Sequence, residues 1–367
     1  MKFTIDTPTF AEAAVFAAKA INARPVTPVL SGIRIEAAAG VLRLAGFDYE
    51  VSNRTTAAAE VTTPGHVLVS GRMLTDILSK LPKSRPVTME LDGNKVTLTS
   101  GRASYRLSAM QFDDFPEMPE LPAAAGTVDG ELFADAITSV AGAVATEDAL
   151  PILMSVYITT DGNRMTFQST DRYRLAQRVI DWAPADPTIG YKWLVKAKTL
   201  ADVAKLAAGE LQVMANDSML GFRTGNRATT TLTVEGDFPK IGSLFPDHTP
   251  NNTIADRAQL AEIVARVSLV AERNTPVRIV SDGGELTIDA GTGEDAQGLE
   301  AMDAELEGDP ITSAFNPGFL GWALKTIPTT TVRLGYSHPS KPCHITPTDD
   351  TDLRILIMPV RLPGQKP

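Results

Sequence analysis

Apolar residues along this chain recur at two spacings, and the two alternate in the same order three times over. Positions three and four apart predict amphipathic helices at 9–21, 131–144 and 256–271, with starts roughly 120 residues apart. A second series joins a strand, through a short polar or basic turn, to a further helix. It occupies 68–82, where Met73, Leu74, Ile77, Leu78 and Leu81 are apolar, and 193–206, with Leu200, Val203, Ala204 and Leu206. Its third copy is 314–327, with Phe319, Leu320, Ala323, Leu324 and Ile327. Between the helices, a two-residue alternation predicts strands at 32–36, 41–44, 95–99, 155–160, 227–234, 277–279 and 285–288. Asp92-Gly93-Asn94, Asp161-Gly162-Asn163 and Asp282-Gly283-Gly284 supply tight turns between them. A repeat of this length is a domain, not a solenoid unit.

Two proline-rich stretches mark the joints. Phe115 to Pro122 cannot extend a central strand, because proline has no amide hydrogen to give, and 245–252 closes the second unit in the same way. The expected organisation is therefore three domains, 1–122, 123–249 and 250–367. Each is an α+β unit of two helices and mostly antiparallel strands. The run 354–362 stands out at the end of the chain. As a strand it would put Leu356, Met358, Val360 and Leu362 on one face and Ile355, Ile357 and Pro359 on the other. Two apolar faces mean either burial on both sides or a greasy groove kept open for a partner.

Charge changes the picture more than composition does. A hydrophobic fraction of 43% with 21% charged residues describes a soluble globular chain with no stretch of ~18 apolar residues. Glu12 and Lys19 interrupt the first apolar run, which excludes a signal peptide, and the expected location is cytoplasmic. The lone Cys343 excludes an internal disulfide framework and reads as a small hydrophobe. A net charge of −10 argues, taken alone, against nucleic acid. The six inferred helices nevertheless sum to +6 and the rest of the chain to −16. Arg24, Arg72, Lys80, Lys83, Lys196, Lys198, Lys205, Arg266 and Lys325 could line a surface facing DNA phosphates, and scattered lysines are equally what a solvated helix face carries. No recognition-helix motif, finger spacing or aromatic ribonucleoprotein signature is present.

Enzyme chemistry finds little support. Gly291 to Ala296 imitates a dinucleotide fingerprint, but Glu294 and Asp295 stand where pyrophosphate would lie and no helix pattern follows at once. His66, His248, His338 and His344 lack metal-ligand spacing and read as surface or turn residues. Asp113, Asp114, Asp349, Asp350 and Asp352 read as loop solvation. No nucleophile has a base nearby in sequence, so neither catalysis nor a cofactor nor a metal is expected.

With three repeats, basic helices and the closing strand in view, the chain resembles the family of bacterial beta sliding clamps, processivity subunits of DNA polymerase III. The resemblance covers essentially the whole sequence. It rests on Met1 to Ile5, Arg24 to Leu30, Ser100 to Ser108, Asp114-Phe115-Pro116, Ser169 to Leu175, Phe315-Asn316-Pro317 and Met358 to Leu362, in that order. The resemblance implies a head-to-tail homodimer, a closed ring with helices inside and sheets outside that encircles double-stranded DNA without reading its sequence. It further implies that the DNA polymerase III alpha subunit, the clamp loader, and repair and translesion polymerases dock through short hydrophobic motifs. Their groove, between the second and third domains, would comprise Leu153, Thr170, Arg172, Arg174, Leu175, Pro239, Leu244, Leu356, Met358 and Val360, and would also take groove-binding inhibitors. The ring joint would set Arg102, Tyr105 and Leu107 of one copy against Leu269, Val270, Glu294, Asp295 and Glu300 of the other.

The chain departs from the family pattern at Arg172 and Tyr173, where many members carry glycine and histidine. Pro151 and Ile152 replace aromatic residues that some members place near DNA. A specialised clamp-like scaffold, such as a second or phage-encoded copy, would share nearly all of these features.

Overall fold

A computed structural model describes residues 1–146, 150–271, 275–290 and 297–361. Among them one succession of elements occurs three times: a strand, a helix, five strands, a second helix and three strands. The first copy runs β1 Lys2–Asp6, α1 Thr7–Ala18, β2 Gly32–Ala38, β3 Val41–Phe47, β4 Val51–Ala58, β5 Glu60–Thr63, β6 Gly65–Ser70, α2 Gly71–Lys80, β7 Pro86–Asp92, β8 Lys95–Ser100 and β9 Ala103–Ser108. The second runs β10 Ala123–Asp129, α3 Gly130–Ala141, β11 Ser155–Asp161, β12 Arg164–Thr170, β13 Arg174–Asp181, β14 Ala183–Pro184, β15 Lys192–Lys196, α4 Ala197–Ala204, β16 Glu210–Ala215, β17 Met219–Thr224 and β18 Arg227–Leu232. The third runs β19 Asn251–Asp256, α5 Arg257–Val267, β20 Val277–Asp282, β21 Glu285–Ala290, β22 Gly298–Asp303, β23 Glu305–Glu307, β24 Ile311–Phe315, α6 Pro317–Thr326, β25 Thr331–Tyr336, β26 Cys343–Pro347 and β27 Leu353–Ile357.

Four of the helices begin where a residue beside the preceding strand end offers a side-chain oxygen. Asp6 accepts from the Thr9 amide at 3.2 Å, Ser70 from Met73 at 3.4 Å, and Asp256 from Gln259 at 2.7 Å. Asn316 accepts from Gly318 and Phe319 at 2.9 and 3.2 Å. Each cap satisfies an amide that the first helical turn leaves unpaired, worth about 1 kcal/mol. The expected tight turns stand between β7 and β8, β11 and β12, and β20 and β21, where Gly93, Gly162 and Gly283 take φ of 56°, 52° and 58°. Such positive φ values are the reason glycine is needed there.

The chain forms two compact units. The first comprises Met1–Gly130, Ala183–Asp186 and Leu206–Thr233. It contains a nine-stranded sheet in the order β14-β10-β16-β17-β18-β4-β3-β2-β6 and a five-stranded one, β5-β1-β7-β8-β9. Phe3, Phe10, Ile33, Leu42, Leu74 and Leu98 sit in its core, to which both sheets, α1 and α2 contribute. The second unit comprises Glu131–Trp182, Pro187–Lys205 and Val234–Pro367. Its sheets are β15-β11-β12-β13-β27-β26-β25-β19-β23 and the four-stranded β22-β21-β20-β24. In each nine-stranded sheet the ninth strand of one repeat pairs with the fourth of the repeat before it. β18 lies antiparallel on β4, with Arg227 opposite Thr55 and Thr231 opposite Val51. β27 lies likewise on β13, with Ile357 opposite Arg174 and Leu353 opposite Arg178.

Several boundaries differ from expectation. α3 ends at Ala141 and α5 at Val267, where a short 3-10 turn, Ser268–Val270, takes over. The alternation expected through Leu362 stops earlier, because β27 ends at Ile357. Pro359 cannot donate to a ladder. Met358 still gives its amide to Tyr173 O at 2.8 Å, but the Val360 amide turns away to Ala314 O at 2.8 Å. Leu362 and the tail 363–367 lie outside the described residues. The proline-rich stretch before β10 is irregular yet packed: Phe115 is buried with Phe47 and Leu68.

Candidate functional site

β13 and β27 create an apolar floor at their joint. Leu175 and Leu356 face each other across the two strands, are 4% and 1% exposed, and pack with Ile241 and Phe245. Residues adjoining this floor keep apolar surface in solvent. Leu244 is 57% exposed, Met358 39% and Val360 36%, and Pro239 is also exposed. A buried aliphatic base with exposed aliphatic residues and a methionine suits the apolar side chains of a short peptide, because methionine adapts its shape at little cost.

The turn between β12 and β13 is held by its own side chains. Thr170 Oγ1 accepts the Arg172 amide at 3.0 Å and donates to Arg174 O at 2.9 Å. Asp171 accepts the amides of Tyr173 and Arg174, each at 2.9 Å, and the Arg174 Nε at 3.0 Å. The Arg174 guanidinium then lies 4.6 Å from the Phe319 ring centre and 4.7 Å from that of Trp322, both on α6, and Tyr173 stacks on Phe319 at 6.3 Å. Arg172 takes φ 79°, a left-handed conformation that normally favours glycine.

Other residues expected in the groove support the architecture around this floor. Arg174 is not a free wall residue: it braces the turn against α6. Thr170 is 3% exposed and serves the same turn. Leu153 is 3% exposed in the 3-10 turn Pro151–Met154 and is not part of the Leu175–Leu356 cluster. Sequence reasoning missed Ile241 and Phe245, whose four-residue spacing within 238–245 was the available signal. Phe319 and Trp322 were missed as partners of Arg174, and no local pattern announces them.

His344, expected at the surface or in a turn, lies in β26 opposite Leu356, with its ring 6.0 Å from that of Phe245. Burial, and secondarily the charge of Arg354, lowers its pKa to about 4. Cys343 is buried, and burial pushes its thiol well above the ordinary range, consistent with an inert small hydrophobe. Asp350 and Asp352 neutralise Arg178 and Arg164, the second pair at 2.5 Å, instead of merely solvating a loop. Among the described residues no cluster has the makings of a metal site.

All nine basic residues expected to face DNA are exposed. Arg24, Lys80, Lys83, Lys198 and Lys325 have no ion pair among the described residues, whereas Arg72 meets Asp76 at 3.8 Å and Lys205 meets Asp202 at 2.9 Å. Lys196 ends β15 and is not on a helix. Arg266 departs from expectation. It pairs with Glu300 at 2.7 Å and Glu262 at 3.6 Å, so two residues assigned to different surfaces neutralise each other. Their hydrogen bond raises the Arg266 pKa and lowers that of Glu300.

At the expected ring joint, Arg102 and Tyr105 are exposed on and beside β9, and Leu269 is 84% exposed. Val270 is half-buried. Leu107 is 6% exposed and belongs to the core of its own unit. Glu294 and Asp295 lie outside the described residues, as does the rest of 291–296. Leu299 on β22, 68% exposed, was not anticipated.

Comparison with known proteins agrees with this architecture along the whole chain. Residues 1–119, 127–240 and 242–361 match the N-terminal, central and C-terminal domains of the DNA polymerase III beta subunit. The beta sliding clamp of Micrococcus luteus is 47% identical over 84% of this chain and 100% of its own length. That of Streptomyces coelicolor is 42% identical over 99% and 100%. Among solved structures, the Pseudomonas aeruginosa sliding clamp bound to griselimycin superposes with a TM-score of 0.94 at 25% identity, covering 99% of this chain and 100% of that one. Repeat order, sheet topology and these matches agree: the chain belongs to the DNA polymerase III beta subunit family, the sliding clamps.

Proposed function

We propose that two copies of this chain join head to tail, close around duplex DNA and tether the replicative polymerase to it. As a sliding clamp the chain is a non-catalytic processivity subunit. The observation that carries the ring is a pair of unfilled strand edges. β9, the ninth strand of the first repeat, ends the five-stranded sheet, and β22, the fourth strand of the third, ends the four-stranded one. Ninth-on-fourth pairing is the rule at both joints inside the chain. Applied between copies, it sets β9 of one against β22 of the next and builds a third nine-stranded sheet. Tyr105 on β9 and Leu299 on β22 keep apolar surface exposed at these edges. A head-to-tail contact of this kind stays finite only if its rotation closes.

The domain limits supported by the repeat are 1–122, 123–249 and 250–367. Arg24, Lys80, Lys83, Lys198 and Lys325 then meet phosphates through weak, sequence-independent contacts, and the closed ring supplies the retention. The surface around Leu175, Leu244, Leu356, Met358 and Val360 takes short hydrophobic motifs of the polymerase III alpha subunit, the clamp loader, and repair and translesion polymerases. It is also where an inhibitor would compete. Cytoplasmic location follows from replication itself. Light scattering at micromolar concentration tests the reading: twice the chain mass is expected, and a monomer would overturn it.

A further inference from the structure

The first compact unit holds a cavity of about 580 Å³ beside the β18–β4 pairing. The strand registers place Arg34, Ala45, Arg54, Ala228 and Arg223 in a single row across β2, β3, β4, β18 and β17. Cross-strand partners share a face, so three arginines project from one side of the sheet with alanines between them. Two strand spacings separate each arginine from the next, about 9.5 Å at the backbone. Arg43, two residues from Ala45 and opposite both Glu36 and Thr56, adds a fourth on the same face.

The segment before β10 covers this row. Met118 and Leu121 line the cavity as its apolar wall, and the Pro119 carbonyl accepts a hydrogen bond from Arg54 Nη2. Arg34 is held by Glu36 at 2.6 Å and lies 4.9 Å from the Phe112 ring centre. Arg54 Nε is sealed from solvent and has no acceptor. Burial, and after it the like charge of Arg34, lowers the Arg54 pKa. Arg43 and Arg223 are exposed and form no ion pair among the described residues. Five arginines line the cavity; Arg227 pairs with Glu12 at 3.1 Å, and the other four face only Glu36 and Glu117 among the lining residues, in a chain whose net charge is −10. A guanidinium N–H buried without a partner is costly, and so is crowding of like charge, and one anion relieves both.

We propose that this cavity binds a compact diphosphate group, supplied either as free pyrophosphate or by the polyphosphate of a nucleotide. Planar guanidinium forks match phosphate oxygens in pairs, which lysine cannot do. The volume lies in the range of small-ligand sites. The covering segment already occupies the face along which an extended acidic peptide would have to lie. The site is independent of ring closure and of the groove beside Leu356.

The test is calorimetric titration of the intact native protein with inorganic pyrophosphate at low salt. Saturable binding at one site per chain is expected. Arg43→Ala and Arg223→Ala, both at exposed positions, should each weaken it about tenfold, and Arg54→Lys by at least as much. The variant Lys95→Ala, at an exposed position on β8, should leave it unchanged. Tighter binding of ATP than of pyrophosphate would identify the nucleotide as the source, and the reverse would identify free pyrophosphate. Absence of saturable binding, binding that survives both Arg43→Ala and Arg223→Ala, or loss on the lysine variant would each overturn the proposal. So would preferential binding of an acidic peptide at the same arginines.

Discussion

Arg172 holds φ at 79°, with its amide fixed on Thr170 Oγ1, in a backbone region that costs a non-glycine residue about 1 kcal/mol. Arg172→Gly should therefore stabilise the fold, by about 0.5 kcal/mol once the extra freedom of glycine in the unfolded chain is counted. Arg172→Val, branched at Cβ, should destabilise it. Urea unfolding of the three proteins checks the order, and equal midpoints would mean that the turn relaxes at no cost. His344 makes a pH-dependent prediction. Its pKa falls from 6.5 to about 4 in the folded protein, so the unfolded chain takes up the proton first as the pH drops. The stability it contributes is complete above pH 6.5 and is lost as the pH falls towards about 4. His344→Gln should flatten that part of the stability profile. Parallel slopes for the two proteins across the window would mean that His344 titrates alike in the folded and the unfolded chain.

At the scale of elements, β27 separates two jobs along a few residues. Leu356 is part of a buried cluster, whereas Met358, two residues on, is 39% exposed past the strand end. Leu356→Ala should cost about 2 to 5 kcal/mol of stability. Met358→Ala should leave stability nearly unchanged and weaken a labelled hydrophobic peptide by about 1 to 2 kcal/mol in an anisotropy titration. Peptide binding unaffected by Met358→Ala would move the groove elsewhere. This division was only half legible in the sequence. Apolar periodicity located the helices, the Asp-Gly turns located the hairpins, and the parity of Leu356 held because it reports a single strand. Parity failed beyond Ile357 because Pro359 and the hydrogen bond to Ala314 lead the chain out of the sheet. Leu107 looked available because an edge strand still has one face in its own core. The stacking of Arg174 on α6, and the arginine row across β2, β4 and β17, join residues far apart in the chain. Pairing register, which no local window contains, is what brings them together.

For the whole molecule, the decisive property is whether β9 and β22 meet between copies. Leu299 is 68% exposed on β22, and Leu299→Glu would place an unpaired carboxylate in the proposed joint. Burying such a charge costs several kcal/mol, and a ring of two copies contains two joints, so the substitution acts twice. Sedimentation should show a dimer for the parent protein and a monomer for Leu299→Glu at micromolar concentration. The same variant should keep peptide binding, since Leu299 lies on the edge of the four-stranded sheet, whereas Leu175 and Leu356 belong to β13 and β27 of the nine-stranded one and Met358 follows β27. Once the clamps have been loaded, retention on DNA separates linkage from affinity. A closed ring should stay on circular duplex at salt that screens lysine–phosphate contacts, and should leave when the circle is cut, because only the topology held it. Leu299→Glu should be lost from both forms alike. Met358→Ala should behave as the parent on DNA while failing to hold its peptide. Equal release of the parent protein from circular and cut DNA would mean that its positive helices, not a closed ring, are what keep it there.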